Sequence, residues 1–381
     1  MKPALRDDRG RPRRFWSGIV RHPLVSVILV GWLAACSSNV HTPYVPGSVG
    51  PAGPLPAIAQ PIAAQTLRFD YPRMHALEGI VDQPDGETGD YWVRQLQMVS
   101  SGGPERQPVR AHYYQGKEGG AKPLVIVLPV WGVSSYPSNA IARGLRAHNE
   151  GTVNILLVDG EELLFDWDRM AAADDQPAFD AELSLMVERF THTVIDIRRL
   201  VDWAQGQPEI DPTRIAIVGF SMSAIVGSVV LTNDPRVDYG VLVVGGGDLH
   251  EVLAVCNGRI RRTRETLMER FDWTVEDFKE RLKAPLDPIN PVHFGGRQDP
   301  AGLLVIEAAE DSCVPESARE RFWEAMGRPE RISYQYGHRA TFLALTFLGG
   351  HDMQHRVFGF LDRALAPSWP RYQAAQITPA P

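Results

Sequence analysis

The chain has 381 residues, 44% hydrophobic and 22% charged, with 34 Gly and 30 Pro, a globular composition that excludes a largely disordered, collagen-like or polytopic membrane protein. The net charge of −7 is uneven: residues 1–22 carry Lys2 and six arginines against Asp7 and Asp8, a net +5, which leaves −12 for the rest. An acidic body of that kind argues against nucleic-acid binding. Three cysteines are too few for a disulfide framework. Cys36 lies in a targeting signal, and Cys256 and Cys313 fall in no CxxC pair, which speaks against structural zinc.

After the basic start come thirteen uncharged residues, PLVSVILVGWLAA (23–35), then Cys36. A basic region followed by a short apolar run ending in small residues reads as an export signal, too short for a comfortable membrane span. LAAC (33–36) resembles the lipobox of bacterial lipoproteins. That resemblance implies a signal peptide over 1–35, lipidation of Cys36, and an envelope location, with Ser37 pointing to the outer membrane. From Cys36 to residue 66 the chain is dense in proline (43, 46, 51, 54, 56, 61), the composition of a semi-extended tether. The domain proper is expected over 67–381.

Within it, YWVRQLQMVS (91–100) and VRAHYYQG (109–116) read as an antiparallel edge. LVIVLP (124–129), VNILLVD (153–159), RIAIVGF (214–220), YGVLVVGGG (239–247) and GLLVIEAA (302–309) are short apolar runs between turn signals, the pattern of parallel strands buried on both faces. Between the second and third, Leu183, Met186, Val187, Phe190, Val194, Ile197 and Val201 recur at helical spacing. Strand, helix, strand repeated predicts a doubly wound, mostly parallel α/β fold. Residues 251–299 break the rhythm with a basic cluster (Arg259, Arg261, Arg262, Arg264), a helix and a proline-rich stretch. They read either as a small helical lid or as surface helices packing the core.

RIAIVGFSMSAIVGSVVL (214–231) places Gly219-Phe220-Ser221-Met222-Ser223 where a strand gives way to a helix. A serine at such a turn is forced outward at the end of the sheet, and small residues two before and two after it let the backbones approach. Ser223 stands where a second glycine is usual. In this context the segment resembles the nucleophile elbow of the α/β-hydrolase family, and the resemblance covers most of 90–365.

The resemblance implies Ser221 as nucleophile and an acid in the loop after a later strand. Glu310-Asp311 precedes Val314-Pro315, and the family's spacing selects Asp311. For the histidine, RISYQYGHRATFLALTFLGGHDMQH (331–355) divides two ways. If RISYQY is the last strand, His338 is presented; if ATFLALTFL is, His351. The first division accounts for more of the chain, so His338 is favoured. HDMQH (351–355) lacks the glutamate of a zinc-protease motif and a third ligand, so neither metal nor organic cofactor is expected. Oxyanion donors would be the N–H groups of Met222 and, from VLPVWGVSSYP (127–137), Trp131. Trp131 and Tyr136 read equally as the lining of an acyl or alcohol pocket or as buried aromatics. Cys313 reads as a packed thiol. The expected activity is hydrolysis of small-molecule carboxylic esters, with a peptidase or amidase on the same fold, or a non-catalytic envelope binding protein, as the alternatives.

Overall fold

The computed structural model describes residues 39–46, 68–73, 79–130, 136–160, 164–346 and 351–367. The signal segment 1–35, Cys36, most of the tether and Trp131 lie outside the described residues.

Ten strands form one sheet in the order β1-β10-β9-β8-β7-β5-β6-β4-β3-β2. Six are parallel: β6 (Asn154–Val158), β5 (Lys122–Val127), β7 (Ile210–Phe220), β8 (Tyr239–Val243), β9 (Leu303–Ala308) and β10 (Glu330–Tyr334). The antiparallel edge expected from 91–116 is present as β3 (Tyr91–Met98) and β4 (Val109–Gly116), extended by β2 (Val81–Thr88). The central strands are buried throughout because helices cover both faces. Alternation assigns each residue to a face: Leu124 and Ile126 enter one core, Val125 and Val127 the other.

The first core is covered by α3 (Gln176–Gln205), started by Asp175, whose carboxylate accepts the Ala178 N–H at 2.8 Å. Its predicted apolar stripe is buried from Leu183 to Val201. The second core lies under α1 (Tyr136–Asn149) and α10 (His351–Ala364). α2 (Trp167–Ala172) and α4 (Met222–Asn233) complete the first face.

One stretch of the expected tether belongs to the sheet. Asn39–Thr42 is β1, antiparallel to β10 at the far edge. It precedes the first proline of the run, Pro43, so its N–H groups remain available, and Val40 and Thr42 favour extended backbone. The 251–299 segment forms α5 (Leu249–Val255), α6 (Arg259–Phe271) and α7 (Val275–Leu286). Leu267, Phe278, Leu282 and Leu286 join the core that holds Phe179, so these helices are built into the domain. Of its arginines, Arg259, Arg261 and Arg262 are exposed, while Arg264 is buried and donates to the carbonyls of Leu253 and Cys256.

Candidate active site

β5 has β6 on one side and β7 on the other, so the chain's direction across the sheet reverses there. Crevices beyond the C-terminal strand ends at such a reversal are where α/β sheets bind ligands. Ser221 stands on this edge, between the end of β7 and the start of α4. Its backbone is held at φ 53° and ψ −117°, which lifts the side chain out of the strand and away from a capping position. A side chain at Gly219 is forbidden: a Cβ would lie 2.3 Å from the Ser223 carbonyl oxygen. Ser223, where the family pattern has a small residue, is fully buried and closes the turn. Its hydroxyl accepts the Phe220 N–H at 2.6 Å and donates to the Phe220 carbonyl at 3.0 Å.

Ser221 Oγ lies 3.0 Å from His338 Nε2, and His338 Nδ1 lies 2.8 Å from Asp311 Oδ2. Asp311 follows β9, and its other oxygen accepts the N–H groups of Cys313 at 2.7 Å and Val314 at 2.9 Å. Those two bonds aim the carboxylate, and its side chain is fully buried. His338 opens α9 (His338–Thr346) just past β10, with Phe342 edge-on to its ring at 5.3 Å between centroids. α9 separates it from His351, which opens α10. Met222, as first residue of α4, has an N–H with no acceptor inside the helix, and it adjoins Ser221.

Two supports went unnoticed in the sequence. Cys256, at the end of α5, is joined by a disulfide to Cys313, which corrects the reading of Cys313 as a packed thiol. The pairing spans 57 residues and follows from the folded path of two loops, not from any local spacing. After β8, Val244 is held at φ 49°, rare for a β-branched residue, and its N–H donates to Ile306. The glycine run that follows brings the acid loop close: a Cβ on Gly246 would sit 2.4 Å from Val314 Cγ1. The run VVGGG was the available signal. Among the described residues no group of three His, Cys, Asp or Glu could hold a metal ion, and no helix is long and apolar enough to cross a membrane.

The fold is that of the α/β-hydrolases, and on it Ser221, His338 and Asp311 stand within hydrogen-bond reach of one another. The model of the X-Pro dipeptidyl-peptidase (S15) family matches residues 184–344, a stretch that holds all three side chains and less than half of the chain. Among solved structures, acetyl xylan esterase 1 from Thermoanaerobacterium sp. JW/SL YS485 aligns at a TM-score of 0.54 with 17% identity, covering 82% of this chain and 94% of its own. Acetyl xylan esterase from Paenibacillus sp. R4 aligns at 0.54 with 16% identity, covering 79% and 91%. Two uncharacterised proteins of Mycobacterium tuberculosis, from strains CDC 1551 and H37Rv, are each 30% identical over 149 residues, 39% of this chain. The chain spans about a third of the length of these relatives.

Proposed function

We propose that the protein hydrolyses carboxylic esters of small molecules, with Ser221 as nucleophile, His338 as general base and acid, and Asp311 as the group that orients the imidazole. The observation that carries this is the unbroken hydrogen-bonded line from Ser221 Oγ through His338 to the buried Asp311 at the strand-to-helix elbow. Ser221 Oγ bonds to the acyl carbon as its proton passes to His338 Nε2; the C–O bond to the alcohol then breaks, and His338 returns the proton to the leaving alkoxide. Water, deprotonated by the same imidazole, frees the acid and restores Ser221. The N–H groups of Met222 and Trp131 hold the oxyanion. The steps call for no metal or organic cofactor.

Esters are favoured over peptides by the two acetyl xylan esterases that share this fold over most of the chain. The family match to X-Pro dipeptidyl-peptidases supports an amide-cleaving alternative. p-Nitrophenyl esters of graded chain length, run beside X-Pro p-nitroanilides, separate the two. Ser221→Ala and His338→Ala should each lower ester turnover by about 10⁴-fold or more with the fold kept, while His351→Ala retains it. Faster anilide than ester cleavage would favour the peptidase, and a folded chain unlabelled by fluorophosphonate at Ser221 would favour a binding protein. Cys36 is proposed to carry lipid and hold the protein to the cell envelope.

A further inference from the structure

We propose that the edge of the sheet carrying Ser221 docks on an anionic lipid bilayer, so that the catalytic mouth faces the membrane surface. The inference rests on the proposed lipidation of Cys36 and adds an orientation to it. The direction of β1 is the first support. Asn39 pairs with Tyr334 at the C-terminal end of β10, and Thr42 pairs with Arg331 near its start. The chain therefore enters the sheet at the edge where Ser221, Asp311 and His338 stand, not at the opposite one. Two residues, Ser37 and Ser38, separate Cys36 from Asn39, and three Cα-to-Cα steps give a covalent reach of about 11 Å at most. An acyl chain on Cys36 holds this edge, and not the far edge, against the bilayer.

The second support is independent of the anchor. Arg339, next to His338, is exposed, and its guanidinium lies beside Gly258, where a Cβ would be 3.7 Å away. Arg259 and Arg262 follow on the exposed start of α6. Arg261 is paired with Glu265 at 2.7 Å, but Arg259, Arg262 and Arg339 form no ion pair among the described residues. On a body of net charge −12 outside the leader, three unpaired arginines at the catalytic rim fit an anionic surface. Exposed apolar side chains stand among them: Leu343 at 47%, one helical turn from Arg339, and Val255 at 42%, next to the Cys256 disulfide. Arginine flanking exposed Leu and Val is the composition of a surface that rests at the headgroup level.

The test uses the full lipidated chain. An intact mass of the native protein reads the acyl groups on Cys36 and so judges the anchoring separately; a chain without them loses the orientation too. The acylated chain is then reconstituted into phosphatidylcholine vesicles with and without phosphatidylglycerol. A nitroxide is placed at Leu343→Cys, or at Glu118→Cys, which lies before β5 on the opposite edge. Cys256 and Cys313 are joined and do not take the label. With phosphatidylglycerol present, the Leu343 label should be reached by oxygen in the lipid phase and the Glu118 label by an aqueous nickel chelate. Arg259→Gln/Arg262→Gln should shift the ratio of docked to undocked protein by about thirtyfold, at about 1 kcal/mol per arginine, with turnover of a water-soluble ester unchanged. Equal aqueous exposure of both labels on an acylated chain overturns the proposal. So does a glutamine pair that raises KM for a soluble anionic ester and leaves the labels where they were.

Discussion

Ser221 and Ser223 share one turn and divide its work. Ser221 sits at positive φ with its side chain toward His338, whereas Ser223 turns inward and binds both backbone groups of Phe220. The departure from glycine at this position is thus an added staple on a strained turn. Ser223→Ala removes two hydrogen bonds and leaves the buried Phe220 N–H without its partner, a loss of about 1–3 kcal/mol. It should show as a lower Tm with ester turnover reduced far less than by Ser221→Ala. The elbow that carries Ser221 was legible in the sequence because its signal is local, five residues between a strand and a helix. The role of the Ser223 hydroxyl was not, because its partners become available only when the chain makes the turn. The Asp311 and His338 positions were legible through their order after β9 and β10. Choosing His338 over His351 depended on recognising RISYQY as a strand, and β10 occupies Glu330–Tyr334.

At the scale of elements, the acid loop is held from three sides. The Cys313 and Val314 N–H groups grip Asp311, the Ala309 and Glu310 N–H groups donate to the Tyr334 and Tyr336 carbonyls, and the disulfide ties the loop to α5. Cross-linking across 57 residues is worth about 4 kcal/mol if its effect is to restrict the unfolded chain. Cys256→Ser/Cys313→Ser should therefore unfold at a lower temperature under non-reducing conditions and lose kcat more than KM, since the carboxylate is aimed from that loop. A reductant should reproduce the effect in the parent protein and leave the double variant unchanged. Neither this link nor β1 was legible, and for different reasons. A disulfide partner is fixed by tertiary path. β1 is four residues beside a proline-rich run, and its strand character comes from the unpaired edge that β10 offers.

The described body of the domain is a sheet between two main cores, and its architecture was readable because the parallel strands are apolar on both faces. Its polar interior was less so. Asp234, at the end of α4 with its side chain fully buried, accepts from Arg198 at 3.2 Å and from Arg236 at 2.6 Å, and Arg236 also pairs with Asp202 on α3. Burial pushes the Asp234 carboxyl up, but the hydrogen bonds and charge of Arg236, with the charge of Arg198, outweigh it and hold the group below its ordinary value of 3.8. A carboxylate depressed in the folded state adds stability that is present above the unfolded value and is lost as pH falls through the folded one. Thermal stability should accordingly drop on acidification below about pH 4. Asp234→Asn should flatten that drop while lowering Tm at neutral pH, because it leaves the buried Arg198 guanidinium without its anion and Arg236 with Asp202 as its remaining carboxylate.

The pairing of β1 with β10 also has a consequence for how the protein is made. The first of the described strands to be synthesised finds its neighbour about 290 residues later in the chain. At about 5–20 residues per second, that is roughly 15–60 s of synthesis during which Asn39–Thr42 has no partner. Completion of the sheet falls to the last hundred residues, which bring β9 and β10 together and carry both Asp311 and His338.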